Sequence, residues 1–265
     1  MPDLRTTVRI TLGAYLAVHF AGLLPWAVET FSREGMLPDG HLSPVPNLLS
    51  LCDTPLMAVG VVALGVLAGL ALAAGRRDRL AAAIALVVSA TLFGRNPLIA
   101  NPAMPYVGLL LFAYAAQKPR RDGLAWSPEV LRALWIAMAV GYSYSGITKL
   151  AAPSWVDGQA FAYILDNPLA RPSIVRQAFL ALPAWALNGL TFATLGLEIA
   201  FAPLALIRRA RPWLWASMLA MHLGLLMLLD FADLSLGMVV LHLCTFDPAW
   251  LRHYGWQATP SSSPA

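Results

Sequence analysis

The feature that most constrains this chain is the gathering of its apolar residues into long blocks, separated by short connections that hold most of the charge. Eight blocks read as helices, at about 9–28, 55–74, 79–94, 103–117, 129–149, 184–207, 212–230 and 233–247. A bilayer span needs roughly 20 consecutive apolar residues. Composition agrees: 58% of the 265 residues are hydrophobic and 12% are charged, where about 25% charged is usual for a soluble domain. The expected fold is all-α, a polytopic transmembrane helical bundle of about eight spans, with seven or nine as alternatives. It forms a single domain over 1–257, and the tail 258–265, "ATPSSSPA", reads as disordered.

The charges report orientation. Arg5 and Arg9, "RRDR" (76–79), "KPRR" (118–121), "RRAR" (208–211) and Arg252 fall on one side if the spans alternate. Arg33, Arg95, Lys149, Arg171 and Arg176 fall on the other, with most of the loop acids. The positive-inside rule then puts both termini in the cytoplasm of a cell-membrane protein, with Lys149 near the outer face. The net charge of +4 follows this topological pattern rather than a basic face with interleaved aromatics, which excludes nucleic acid as a partner. No small-x-small cleavage site follows the first block, so it reads as an uncleaved span. Cys52 and Cys244 make neither a disulfide framework nor a CxxC pair.

The two longest connections, 29–54 and 150–183, face outward on this reading. Glycines and prolines in "EGMLPDGHLSPVPNLLSL" describe an ordered turn system. In "PSWVDGQAFAYILDNP", Ser154 is placed to cap a short amphipathic helix that Pro168 ends. Trp155, Phe161, Tyr163 and Ile164 suit a helix lying at the membrane surface, so an interfacial helix is expected to cap the outward face.

Polar side chains at membrane depth ask for a reason. Tyr142, Ser145 and Lys149 share one helix face at i, i+3 and i+7. If that face looks into the bundle, desolvation makes the amine a candidate general base; if it looks at lipid, Lys149 is a helix-end lysine that snorkels to the headgroups. Glu198 lies in the sixth block, with Thr191 and Thr194 on its face; His222, His242 and His19 lie in the seventh, eighth and first. Glu198 and His222 are candidates to pair, bind a polar head or relay protons. Glu198, His222 and His242 lack a tight metal-ligand spacing, and no metal is assigned. Arg95 and Asn96, in "LFGRNPLIANP", are either an interface anchor or groups reaching into the site. No GxSxG elbow or Gly-rich phosphate loop is present.

The stretch "SGITKLAAPSWVDGQAFAYIL" resembles the Gly-hydrophobic-x-Lys-Leu, then Trp-x-x-Gly, signature of the vitamin K-dependent gamma-carboxylase family and its bacterial HTTM-domain relatives. Gly146, Lys149, Leu150, Trp155 and Gly158 carry it. The Arg-led first block with its "EGMLP" turn, "GRNPLI", the Glu198–His222 succession and the closing "LSLGMVVLHLCTFDPAW" are similar to the family's pattern in the same order. The resemblance implies Lys149 as base toward reduced vitamin K or a similar lipid-soluble naphthoquinol. Oxygenation of the quinol then supports modification of a peptide or small molecule by carboxylase/epoxidase-like (lyase or oxidoreductase) chemistry. Tyr142, Ser145, Glu198, His222, Arg95 and Asn96 are expected to line that pocket. The sequence departs from the carboxylases at Asn96, where they carry a His, and it lacks their large extramembrane substrate domain. Those departures point to the alternative, a non-catalytic membrane factor: a quinone or lipid carrier, or a maturation or export partner. An ion or proton transporter built on Glu198 and His222 would lack the broken-helix repeat usual for such folds.

Overall fold

A computed structural model describes residues 4–38, 47–117 and 125–250. The "KPRR" cluster, Arg252, the tail and the middle of the first long connection lie outside those residues. Among the described residues eight longer helices are present: α1 (Leu4–Leu23), α2 (Pro55–Ala74), α3 (Asp78–Arg95), α4 (Met104–Ala116), α5 (Pro128–Lys149), α6 (Ala184–Ala205), α7 (Arg211–Leu228) and α8 (Ala232–Thr245). Among the described residues there is no strand, only an isolated bridge between Ala170 and Leu229. The chain is all-helical. Four helical stretches among the described residues are long and apolar enough to cross a membrane, Leu4–Phe31, Pro55–Ala74, Pro128–Lys149 and Ala184–Ala205; α4 and α8 are shorter and also apolar.

The first stretch is broken where one span was expected. Pro25 sits in a single 3-10 turn, Leu24–Trp26, before a short helix at Ala27–Phe31. Proline cannot supply the backbone N–H that a continuous helix needs there.

Two crossings hold the bundle together. The most extensive is α1 on α2. Gly13 lies against the backbone of Gly69 and Ala73, and a Cβ on Gly69 would come within 2.6 Å of the Ala17 nitrogen. Small residues allow this close approach of two helix backbones. The next is α5 on α6, described below. Between them α2, α3 and α4 pack in succession, and α8 fills the gap against α1, α4 and α7.

One end of the bundle is sealed by basic side chains and indoles. Arg9 Nη1 donates to the Leu72 and Ala73 carbonyls at the end of α2, where Gly75 adopts φ +73°. Arg79 caps the last carbonyls of α4 through Ala115 and Ala116. The Trp126 and Trp135 indoles do the same for α8 through Cys244 and Thr245. Arg5 pairs with Asp78 at 3.2 Å, and Tyr114 donates to the same carboxylate oxygen at 2.9 Å. Burial opposes the Asp78 charge, but hydrogen bonds from Tyr114, the Arg79 backbone and Arg5 outweigh it and hold this carboxyl below its ordinary 3.8. Helices α1, α3 and α5 start at this end, and α2, α4 and α8 finish there.

At the other end the 150–183 connection makes three short helices, Pro153–Val156, Ala160–Asp166 and Ile174–Leu180. Ser154 does not cap the first. That role falls to Ala152, which has no side-chain bond to give, and Pro153 opens the turn instead. Ala160–Asp166 stops at Asn167, the residue before Pro168, because proline disfavours a helical residue ahead of it. The segment lies along α6, with the Phe161 nitrogen donating to Thr191 Oγ1. It then crosses to the end of α7, where the Arg171 nitrogen donates to the Leu228 carbonyl.

Candidate functional site

Helix α5 starts on a Ser127 cap, with Pro128 in its first turn, and runs unbroken to Lys149. Its outward-facing residues are Ile136, Val140, Tyr144 and Ile147, all exposed. Tyr142, Ser143 and Gly146 are buried on the opposite side, so the polar face looks into the bundle.

Gly146 sets the distance to α6: a Cβ there would stand 2.7 Å from the Ile199 nitrogen. Pro203 lies inside α6 and leaves the Ile199 carbonyl without its usual helical donor. Ser143 fills that gap. Its hydroxyl lies within donating distance of the Ile199 carbonyl, 3.0 Å, and the Glu198 carbonyl, 3.1 Å, while accepting from the Ala202 nitrogen at 2.9 Å. A serine from one helix thus substitutes for a missing rung in its neighbour, and Glu198 sits on the loosened turn.

The Glu198 carboxylate is paired with the Lys149 ammonium. Lys149 Nζ also donates to Ser145 Oγ at 2.8 Å and lies 4.9 Å from the centre of the Trp155 ring. The side chains are 23% and 5% exposed, so the amine is turned inward to a buried carboxylate. A charge at this depth persists only with a partner. The motif beyond Lys149 folds with it: Trp155 flanks the amine, and Gly158, at φ +78°, turns the chain so that it packs on Phe192 and Asn188 of α6.

A second polar pair lies beside the first. The Tyr142 hydroxyl and His222 Nε2 share a hydrogen bond of 2.9 Å. His222 and His242 approach with ring centres 5.9 Å apart. His242 Nδ1 donates to the Met238 carbonyl, which leaves Nε2 as an acceptor. Among the described residues His242 Nε2 and His222 Nδ1 are both buried without partners. Glu198 therefore does not pair with His222; each has its own partner on α5. Among the described residues no group of three His, Cys, Asp or Glu side chains converges as a metal site.

Arg95 and Asn96 are bonded elsewhere. Arg95 Nη2 donates to the Ser32 and Leu37 carbonyls and pairs with Asp53 at 3.3 Å. The Asn96 amide donates to the Thr30 carbonyl, and its oxygen accepts from the Leu98 nitrogen. Both fasten the first long connection to α3. Thr191 supports the short-helix cap. Sequence reasoning missed Ser143, whose only signal was a proline sixty positions later. It read Trp155 as a membrane-surface residue, though the same motif held it and Lys149. Two cavities, of about 1170 and 650 Å³, open on other parts of the bundle; neither is lined by Lys149 or Glu198.

No protein-family model, curated protein or solved structure matches the chain.

Proposed function

We propose that this is an eight-span cell-membrane protein of the HTTM, gamma-carboxylase-like kind, whose working centre is the Lys149–Glu198 pair. The observation that carries the reading is the inward-turned amine, held by Glu198 and Ser145 against Trp155. Such a pair can do proton chemistry on a lipid-soluble quinol. Glu198 takes a proton from the ammonium, and the neutral amine then takes one from the quinol hydroxyl, leaving a quinolate beside a lysine that is charged again. The unpartnered nitrogens of His222 and His242 favour a functional reading, since buried polar groups left unpaired are rare without a use. Tyr142 links those imidazoles to the α5 face that bears the amine. Arg95 and Asn96 fasten the outer connection through Arg95 Nη2 and the Asn96 amide, while Arg95 Nε and Nη1 stay buried without partners among the described residues.

The test is oxidation of reduced naphthoquinone by the purified protein in the presence of oxygen, wild type against Lys149→Ala. Epoxide formed by wild type alone supports the reading. Equal product from both, or none from either, overturns it.

One observation favours the second reading, a non-catalytic quinone or lipid carrier or a maturation or export partner: neither described cavity reaches the amine. On that reading Lys149→Ala lowers stability or partner binding and removes no chemistry.

A further inference from the structure

A different polar cluster lies between α1, α8 and the turn ahead of α4. Asp233, in the first turn of α8, accepts hydrogen bonds from Tyr15 at 3.1 Å and Asn101 at 2.5 Å, and lies 2.7 Å from His19 Nδ1. The histidine and aspartate side chains are 10% and 29% exposed. With a carboxylate at Nδ1, that nitrogen carries the proton in the neutral ring, and Nε2 is left as an acceptor. His19, Tyr15, Asn101 and Asp233 line a cavity of about 650 Å³ whose other walls are almost wholly apolar, including Val18, Leu23, Phe231 and Leu236. Val18 is 66% exposed and Phe231 44%, so the opening lies on the flank of the bundle.

Cavities of roughly 300–1,000 Å³ suit a small molecule, and a few fixed polar groups in an apolar wall set its orientation. The geometry points to a binding site for an apolar, membrane-soluble molecule with a hydroxyl head, an alcohol or a phenol, whose O–H donates to His19 Nε2. Asp233 is the positioning residue that fixes the histidine tautomer, and Tyr15 and Asn101 in turn fix Asp233. A cavity with wholly apolar walls would take any acyl chain; this acceptor distinguishes a hydroxyl from its ether. The inference is independent of the Lys149 reading.

The experiment measures equilibrium binding of farnesol and of 2-naphthol, each against its methyl ether, to the full chain in nanodiscs. One net hydrogen bond corresponds to a preference of about 3- to 10-fold for the alcohol over the ether. That preference, for either probe, supports the site, and the better probe tells an isoprenoid alcohol from a phenol. His19→Phe is expected to abolish the preference, and Val18→Trp, a change at an exposed position, to block both probes. Should His19→Phe fail to fold, the ¹⁵N resonance of His19 Nε2 in wild type supplies the answer: it shifts with the alcohol and not with the ether. Equal binding of alcohol and ether, preference retained in His19→Phe, or an unmoved Nε2 resonance overturns the proposal.

Discussion

The Lys149 ammonium meets the Glu198 carboxylate across a helix crossing kept close by Gly146 and stitched by Ser143. Neither charge would be tolerated alone at that position. The pair is a mutual condition of the fold as well as the centre of the proposed chemistry, and the two roles separate experimentally.

Removing one partner of a buried ion pair strands the other. Lys149→Met or Glu198→Leu alone is expected to lower stability by about 3–5 kcal/mol, whereas the double variant should recover most of that loss. Thermal unfolding of the purified protein in detergent checks this. A double variant that is no more stable than either single one would mean that the two side chains do not depend on each other.

The native cysteines report orientation without engineering. Cys52 is exposed in the connection that positive-inside reasoning places outside, and Cys244 is buried in α8. A membrane-impermeant maleimide added to intact cells should label Cys52 and leave Cys244 unmodified; Cys52→Ser should abolish the signal. Labelling of Cys52 only after the membrane is broken would invert the proposed topology.

Acid should loosen the opposite end first. The Asp78 carboxyl is held below its ordinary 3.8 in the fold, so its share of stability is present above that value and lost as pH falls through the lower folded one. Between pH 5 and pH 2.5 the unfolding midpoint of wild type is expected to fall more steeply than that of Asp78→Asn. Parallel curves would deny the Arg5–Asp78–Tyr114 cluster this part.

Helix positions were legible because apolar block length and loop charge act locally: α2 matches its expected bounds, α5 begins one residue before its expected start and ends where expected, and α8 differs by one residue at its start and two at its end. Pro25 marked a break that the apolar run around it disguised. The inward face of α5 was legible as spacing, yet the Lys149–Glu198 pairing was not, because partner choice depends on how two helices cross. Arg95 illustrates the reverse difficulty. Its position beside Asn96 suited a site, but its Nη2 is taken up by the carbonyls of Ser32 and Leu37, from a connection some sixty residues earlier, while Nε and Nη1 are buried without partners among the described residues. The His19–Asp233 contact joins residues 214 apart, beyond the reach of any local pattern.

Arg9 has a consequence for anyone who tries to re-aim this protein. The side chain that positive-inside reasoning places on the cytoplasmic side also closes the final turn of α2. Reversing its charge to flip insertion would unseal that turn, and misfolding would masquerade as altered topology. Glutamine, which still donates but carries no charge, keeps the two effects apart.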